Sequence, residues 1–252
     1  MRICLSILSL ALVTCAAAEP PDAPRPNTAL LPVPRDAAWL LRHDGFVQVA
    51  HHGGVNVLFL GDSITDYWRW RNRGSFTRGR AVWQAYFAPM HAANFGIGSD
   101  SIQHVLWRIE NGELAGITPK VVVLLIGTNN IGRGGNTTPE IVEGIANLVR
   151  QIRSRSPASK LLLLGIFPRG DKDDPARSQI RQVNAGLAAL DDGKDIRFLD
   201  IGPKFLEPDG ALSPEIMPDR LHPNAKGYAI WAEAIQGPLA ELMAETEGAA
   251  KK

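Results

Sequence analysis

The chain has 252 residues, 45% of them hydrophobic and 21% charged, enough apolar material for one or two packed domains. Lysine and arginine number 27 against 26 aspartates and glutamates, a net charge of +1, so no charge excess points to nucleic acid or to an anionic membrane surface.

Arg2 precedes the apolar run Ile3 to Val13, and Ala16-Ala17-Ala18 supplies a small-residue cleavage pattern before Glu19-Pro20. Residues 1–18 therefore read as a signal peptide. The run is shorter than the roughly 20 apolar residues a spanning helix needs. The expectation is a secreted or periplasmic protein with no integral membrane segment after cleavage near Ala18. Both cysteines, Cys4 and Cys15, fall inside this signal, so the mature chain is expected to lack disulfides, thiolate metal sites and a cysteine nucleophile. Leu12-Val13-Thr14-Cys15 faintly resembles a bacterial lipoprotein box, but Thr14 stands where a smaller residue is usual. Lipid anchoring at Cys15 is the lesser alternative.

Residues 19–35 are rich in proline and alanine and read as an extended lead-in. From 36 to 240, short apolar runs alternate with helical patterns. The runs are Val55–Leu60, Ala92–Phe95, Val121–Ile126, Leu161–Ile166 and Ile196–Ile201. Val121 to Ile126 shows no polar alternation, as expected of a parallel strand buried on both faces. Between runs, Thr138 is placed to cap a helix with Pro139 and Glu140 in its first turn, and Ile141, Ile145, Leu148 and Ile152 recur at helical spacing. Ile180, Val183, Leu187 and Leu190 repeat the pattern. This alternation predicts one doubly wound, three-layer α/β domain with five parallel strands and helices on both faces. Residues 241–252 read as a polar, flexible tail.

Such sheets bind ligands at the carboxyl ends of their strands. The loops there carry Gly61-Asp62-Ser63, then Asn94 to Asp100, then Gly127-Thr128-Asn129-Asn130, and near the end Asp219-Arg220-Leu221-His222. Acyl transfer needs this inventory. A serine hydroxyl is a weak nucleophile until a base takes its proton. His222 is the candidate base, and Asp219 is spaced to hold the other ring nitrogen. Backbone N–H groups at Ser63 and in the Gly98-Ser99 turn, with the Asn129 amide, are candidate oxyanion donors. Singly, each block has an ordinary reading as a turn or a helix cap; together and in order they point to one site.

Other residues have plainer readings. His51-His52 lack a third ligand at metal spacing and read as a helix end before Gly53-Gly54. Trp68, Trp70 and Trp83 are balanced between packing and lining a sugar platform. Arg69, Arg71, Arg73, Arg78 and Arg80 read as a solvated basic cluster. Gly132 to Asn136 lacks the Lys-Ser/Thr ending of a phosphate loop and is expected at the pocket rim.

These four blocks resemble the GDSL/SGNH hydrolases. The stretches Asn94 to Arg108, Gly112-Glu113-Leu114, Gly127 to Asn130 and Pro168-Arg169-Gly170 are especially similar to the catalytic α subunits of platelet-activating-factor acetylhydrolases. The resemblance implies a flavodoxin-like sheet of order 2-1-3-4-5 and an esterase without metal or cofactor. It further implies a Ser63–Asp219–His222 triad, Asn129 as side-chain oxyanion donor and Asp62 as support for the nucleophile turn. One departure stands out: the family's oxyanion glycine usually precedes the aspartate directly, and here that position is Ser99, after Gly98. If the turn needs positive φ, Ser99 carries strain that glycine would not.

The expected activity is hydrolysis of short acyl esters, acetyl foremost. O-acetylated carbohydrate is the preferred substrate class on account of export. A phospholipid acetyl or acyl ester is the alternative, and a non-catalytic carbohydrate-binding module is the alternative of another class.

Overall fold

The computed structural model describes residues 25–73, 76–132 and 134–250. Residues 1–18, expected to be a signal peptide, lie outside the described residues together with both cysteines and the lipoprotein-like box.

Five strands form a single sheet: β1 (Val57–Gly61), β2 (Ala92–Gly96), β3 (Val121–Leu125), β4 (Lys160–Leu164) and β5 (Ile196–Leu199). They pair in the order β2-β1-β3-β4-β5, all parallel. This is the expected three-layer α/β architecture. The lack of polar alternation has a direct cause. Leu58, Leu60, Val122, Leu124, Leu161 and Leu163 enter one core, while Val57, Phe59, Val121, Val123, Leu162 and Leu164 enter the other.

The helices are α1 (Ala37–His52), α2 (Ser63–Asp66), α3 (Arg80–Tyr86), α4 (Ile102–Glu110), α5 (Thr128–Gly132), α6 (Thr138–Arg155), α7 (Pro175–Ala188) and α8 (Ala225–Ala250). Helices α4, α6 and α7 supply Val105, Ile109, Ile145, Leu148, Ile180 and Val183 to the first core. Helices α3 and α8 supply Trp83, Trp231, Ile235 and Leu239 to the second. α1 ends at His52 with Gly53 at φ 74, so the two histidines close a helix there. A two-stranded antiparallel ribbon, Asn72–Arg73 with Phe76–Thr77, lies outside the sheet.

Three local expectations shift. The cap of α6 is Thr137: its side chain accepts from the backbone of Glu140, whose carboxylate accepts from the Thr137 N–H at 2.7 Å, a capping box that moves the start back by one residue. Residues 28–30 of the lead-in form a 3-10 turn that seats Ala29, fully buried, against Gly144 of α6, where a Cβ would stand 2.7 Å from that of Ala29. Residues 241–250, read as flexible tail, continue α8. Leu242 is buried, and Glu241 and Glu245 pair with Arg197 of β5, so the polar face is the solvent side of a docked amphipathic helix.

Candidate active site

β1 delivers Gly61 to the sheet edge. A Cβ there would lie 2.3 Å from both the Leu125 carbonyl and the Thr65 hydroxyl, so only glycine lets α2 fold back at once. At Gly96, the end of β2, an added Cβ would likewise stand 2.3 Å from the Asp66 backbone nitrogen. Asp62 caps α2, its Oδ1 accepting from the Ile64 N–H at 2.9 Å. Ser63 opens the helix, so its own N–H has no intrahelical acceptor. Burial first, then the nearby Asp100 carboxylate, push the Asp62 carboxyl up to about 7.

The next loop turns across Ser63. A Cβ built on Gly98 would stand 3.9 Å from the Ser63 Cβ, which places this turn against the hydroxyl-bearing residue. Ser99 has φ 67, in the left-handed region, so the strain anticipated at this departure is present. Asn129, in α5, donates its Nδ2–H to the Asp100 carbonyl at 2.8 Å. An amide nitrogen carries two hydrogens, so one fixes the side chain and the other is left to donate elsewhere. Gly134 anchors the following loop by donating to the Asn129 carbonyl at 2.9 Å.

The last loop closes the site. Ser63 Oγ lies 2.8 Å from His222 Nε2, and His222 Nδ1 lies 2.7 Å from Asp219 Oδ2. The other carboxylate oxygen accepts from the backbone N–H groups of Leu221 and His222, at 3.2 and 2.7 Å. Burial pushes the Asp219 carboxyl up, but the bonds from the His222 ring and from the backbone outweigh it and hold the group down at about 2. Asp219 is thus anionic throughout the range where an imidazole titrates. The Tyr67 ring backs the imidazole, centroids 4.9 Å apart.

The structure brings Ser63, His222 and Asp219 into one hydrogen-bonded line, with Asp62 capping α2, the Gly98-Ser99 turn beside Ser63 and Asn129 bonded to the Asp100 carbonyl. Other supports are less expected. Arg78, read with its neighbours as solvated, is buried; its Nη1 donates to the Pro223 carbonyl at 3.0 Å and its guanidinium lies 5.0 Å from the Tyr67 ring centroid. Trp68 and Trp83 are buried among Phe59, Phe87 and Trp231, which makes them packing aromatics rather than a sugar platform.

Beneath the two glycine-rich turns runs a buried ionic chain. Arg108 has no exposed side-chain surface; its Nη1 donates to the Phe95 carbonyl at 2.7 Å and its Nη2 to the Gly61 carbonyl at 3.3 Å. It pairs with Asp100 at 3.1 Å and with Glu113 at 3.0 Å. Asp100 also accepts from Trp39 Nε1 at 2.7 Å and Arg35 Nη1 at 3.0 Å, and Arg35 donates to the Gly98 carbonyl at 2.8 Å. Glu113 is shared with His43 at 3.0 Å. The available sequence signal was an arginine beside the apolar stripe Ile102, Val105, Leu106, Ile109.

The chain is similar to known proteins along most of its length. Residues 59–230 match the model of the GDSL-like lipase/acylhydrolase family. The human platelet-activating factor acetylhydrolase IB subunit alpha1 is 37% identical over 222 residues, covering 88% of this chain and 91% of that protein. The rat alpha2 subunit is 38% identical over 212 residues, covering 84% and 87%. Among solved structures, a GDSL-like lipase from Bacteroides thetaiotaomicron superposes with a TM-score of 0.62 at 19% identity, covering 79% of this chain and 97% of its own. A variant of an acetyl-xylooligosaccharide esterase from Geobacillus superposes at 0.55 with 25% identity, covering 75% and 94%. The chain belongs to the GDSL-like lipase/acylhydrolase family and is a carboxylic ester hydrolase.

Proposed function

We propose that this hydrolase cleaves short-chain acyl esters, acetyl foremost, by an acyl-enzyme route on Ser63. Ser63 Oγ attacks the ester carbonyl carbon while His222 Nε2 takes its proton, and Asp219 holds the ring and offsets the imidazolium charge. The tetrahedral oxyanion accepts from the N–H of Ser63, the N–H of Ser99 and the free hydrogen of Asn129 Nδ2, each worth about 10²–10³ in rate. Collapse returns the proton from His222 to the leaving alcohol. Water, deprotonated by the same imidazole, then releases the acid and restores Ser63. The observation that carries this reading is the 2.8 Å contact between Ser63 Oγ and His222 Nε2. Ser63→Ala is expected to abolish release of p-nitrophenol from its acetate ester with the circular dichroism spectrum unchanged; full activity in that variant refutes the reading.

For the alcohol half we propose O-acetylated carbohydrate, in an exported protein. The N-terminal export pattern and the acetyl-xylooligosaccharide esterase neighbour support it. The second reading is an acetyl-glycerophospholipid, favoured by 37% identity to platelet-activating factor acetylhydrolase alpha1 along most of the chain. Equal concentrations of acetylated xylooligosaccharide and acetyl-glycerophospholipid decide between them. Lipid turnover without sugar deacetylation would put the phospholipid ahead of the carbohydrate. Detection of the mature chain, starting at Glu19, in the culture medium or periplasm tests export.

A further inference from the structure

Pro168-Arg169-Gly170, in the loop after β4, supplies none of the triad and none of the proposed oxyanion donors. Its residues nevertheless grip two blocks of the site. Arg169 is half-buried, and its Nη1 donates to the Thr128 carbonyl at 3.0 Å and reaches the Thr128 hydroxyl at 3.4 Å. The guanidinium lies flat on the other end of α5: a Cβ added to Gly132 would stand 2.7 Å from its Nη2 and 2.8 Å from its Nη1. Arg169 therefore spans α5 from its first residue to its last. That helix has five residues, and so short a helix has too few internal bonds to hold its own position. The carbonyl that Arg169 holds belongs to the same planar peptide group as the Asn129 nitrogen, so fixing it fixes the plane from which Asn129 departs. Asn129 is tied on two further sides, its side chain to the Asp100 carbonyl and its own carbonyl to the Gly134 N–H.

The next residue grips the loop of the general base. The Gly170 N–H donates to the Arg220 carbonyl at 2.8 Å. That carbonyl shares a peptide group with the Leu221 N–H, which donates to Asp219 Oδ1 at 3.2 Å. Arg220 stands at φ 54, a left-handed backbone that persists only where its surroundings hold it. Its guanidinium pairs with Asp171, but both side chains are exposed and the pair adds little, which leaves the Gly170 bond as the firmer tie. Gly170 has φ 69, and an added Cβ would run into the Asp174 carboxylate that caps α7, so the loop is itself anchored to a long helix. The Cα atoms of Arg169 and Gly170 are about 3.8 Å apart. One peptide thus joins a hold on the Thr128-Asn129 block to a hold on the Asp219–His222 loop.

We infer that Arg169 is a positioning residue for the hydrolysis, setting the Asn129 amide relative to His222 through the Thr128 carbonyl. The inference rests on the serine mechanism proposed above, in which that amide receives the oxyanion. Misplacing a catalytic group by about 1 Å can cost about a hundredfold in rate. An arginine that merely stabilised α5 would act on the folded fraction and not on turnover per folded molecule.

The test is a double-mutant cycle on the full chain, Arg169→Gln against Asn129→Ala, read as kcat and KM for p-nitrophenyl acetate, with the folded fraction of each variant taken from urea unfolding. Arg169→Gln is expected to lower kcat about 10–100-fold with KM little changed. Asn129→Ala is expected to lower it about 10²–10³-fold, and in that background the arginine substitution should cost little more, because the group it positions is gone. Arg169→Lys keeps the cation and a donor for Thr128 without the planar fork, and should recover part of the turnover; if the glutamine variant does not fold, the lysine variant carries the same cycle. Unchanged kcat in folded Arg169→Gln, a loss that only follows the folded fraction, or an equal loss with and without Asn129 overturns the inference. Unchanged turnover in Asn129→Ala overturns it together with the oxyanion assignment. Full activity in Ser63→Ala refutes the serine mechanism beneath it, whereas an inactive Ser63→Ala beside a fully active Arg169→Gln refutes the positioning role alone.

Discussion

Replacing Asp62 by asparagine isolates the energetic consequence of burying a carboxyl under the nucleophile. In the unfolded chain this carboxyl ionises near 3.8; in the folded protein burial and Asp100 raise it to about 7. Between those values the folded state holds a proton that the unfolded state has lost. The stability contributed by this protonation is therefore full below about pH 4 and is lost as pH rises to about 7. From pH 5 to pH 8 the wild type should lose about 3 kcal/mol through this group alone, since one pKa unit corresponds to about 1.4 kcal/mol. Asparagine keeps an Oδ1 that can cap the Ile64 N–H and removes the titration. Any fixed cost of the amide appears equally at both pH values, so the informative quantity is the change in ΔΔG between them. Urea unfolding of both proteins at pH 5 and pH 8 measures it. Asp62→Asn is expected to gain about 3 kcal/mol relative to wild type on going to the higher pH, with esterase activity kept within about tenfold because the cap survives. A ΔΔG that does not change with pH would refute the argument that this carboxyl is protonated when folded.

Ser99→Gly relieves a left-handed backbone worth about 1–2 kcal/mol but loosens the unfolded chain by about 0.4–1 kcal/mol. A net gain of about 0.5–1 kcal/mol by thermal unfolding is expected from relief of φ 67, with kcat/KM unchanged because the donor proposed at this position is the backbone N–H, which glycine keeps. Arg108→Leu removes the buried cation shared by Asp100 and Glu113, leaving Asp100 to Arg35 and Trp39 and Glu113 to His43, and should cost about 3–5 kcal/mol in denaturant unfolding, whereas a cost below about 1 kcal/mol would show that the ionic chain is dispensable. Arg78→Leu frees the Pro223 carbonyl next to His222 and should lower kcat by about 10–100-fold with KM little changed. Stopped-flow acylation of Ser63 checks this, and an unchanged acylation rate would leave Arg78 a purely structural residue.

Each block of the site was legible because its own chemistry is local, while the convergence of Ser63 with His222, 159 positions away, was readable only from the strand-end rule and the family resemblance. Gly61-Asp62-Ser63 is a cap and a close approach within a few residues, and Asp219 reaches His222 across a three-residue loop. The five apolar runs were legible because both faces of the sheet are buried, although β4 ends at Leu164 and β5 at Leu199, where the chain turns out toward the loops. What the sequence concealed depends on contacts distant along the chain. Arg78 looked solvated among four other arginines, and only the meeting of its loop with Pro223, 145 positions away, buries it. Arg35 sat in a proline-rich lead-in with nothing to say that it reaches the Gly98 carbonyl, 63 positions on. Trp68 could not be assigned to core or cleft until Trp231 and Tyr228 of the last helix were placed against it.

The ionic chain also explains why an apolar replacement is a poor substitute beneath this site. Burying an ion pair often stabilises no more than well-packed hydrocarbon would. Here, however, Arg108 does more than neutralise acids. Its fan of N–H groups meets the carbonyls of Gly61 and Phe95, the strand ends that lead into Ser63 and into the Gly98-Ser99 turn. Hydrocarbon at this position would leave both carbonyls without that donor, and each strand end could then shift independently of the other. Asp100 extends the same tie: its side chain is held by Arg108, Arg35 and Trp39, while its backbone carbonyl orients Asn129. A displacement of about 1 Å among catalytic groups can cost about a hundredfold in rate. The buried charges are thus better understood as fixing the relative positions of two turns and one amide than as a source of net stability. The two contributions separate in a folded Arg108 variant: it should lose turnover out of proportion to its lost stability, and activity that falls only as the folded fraction falls would contradict this view.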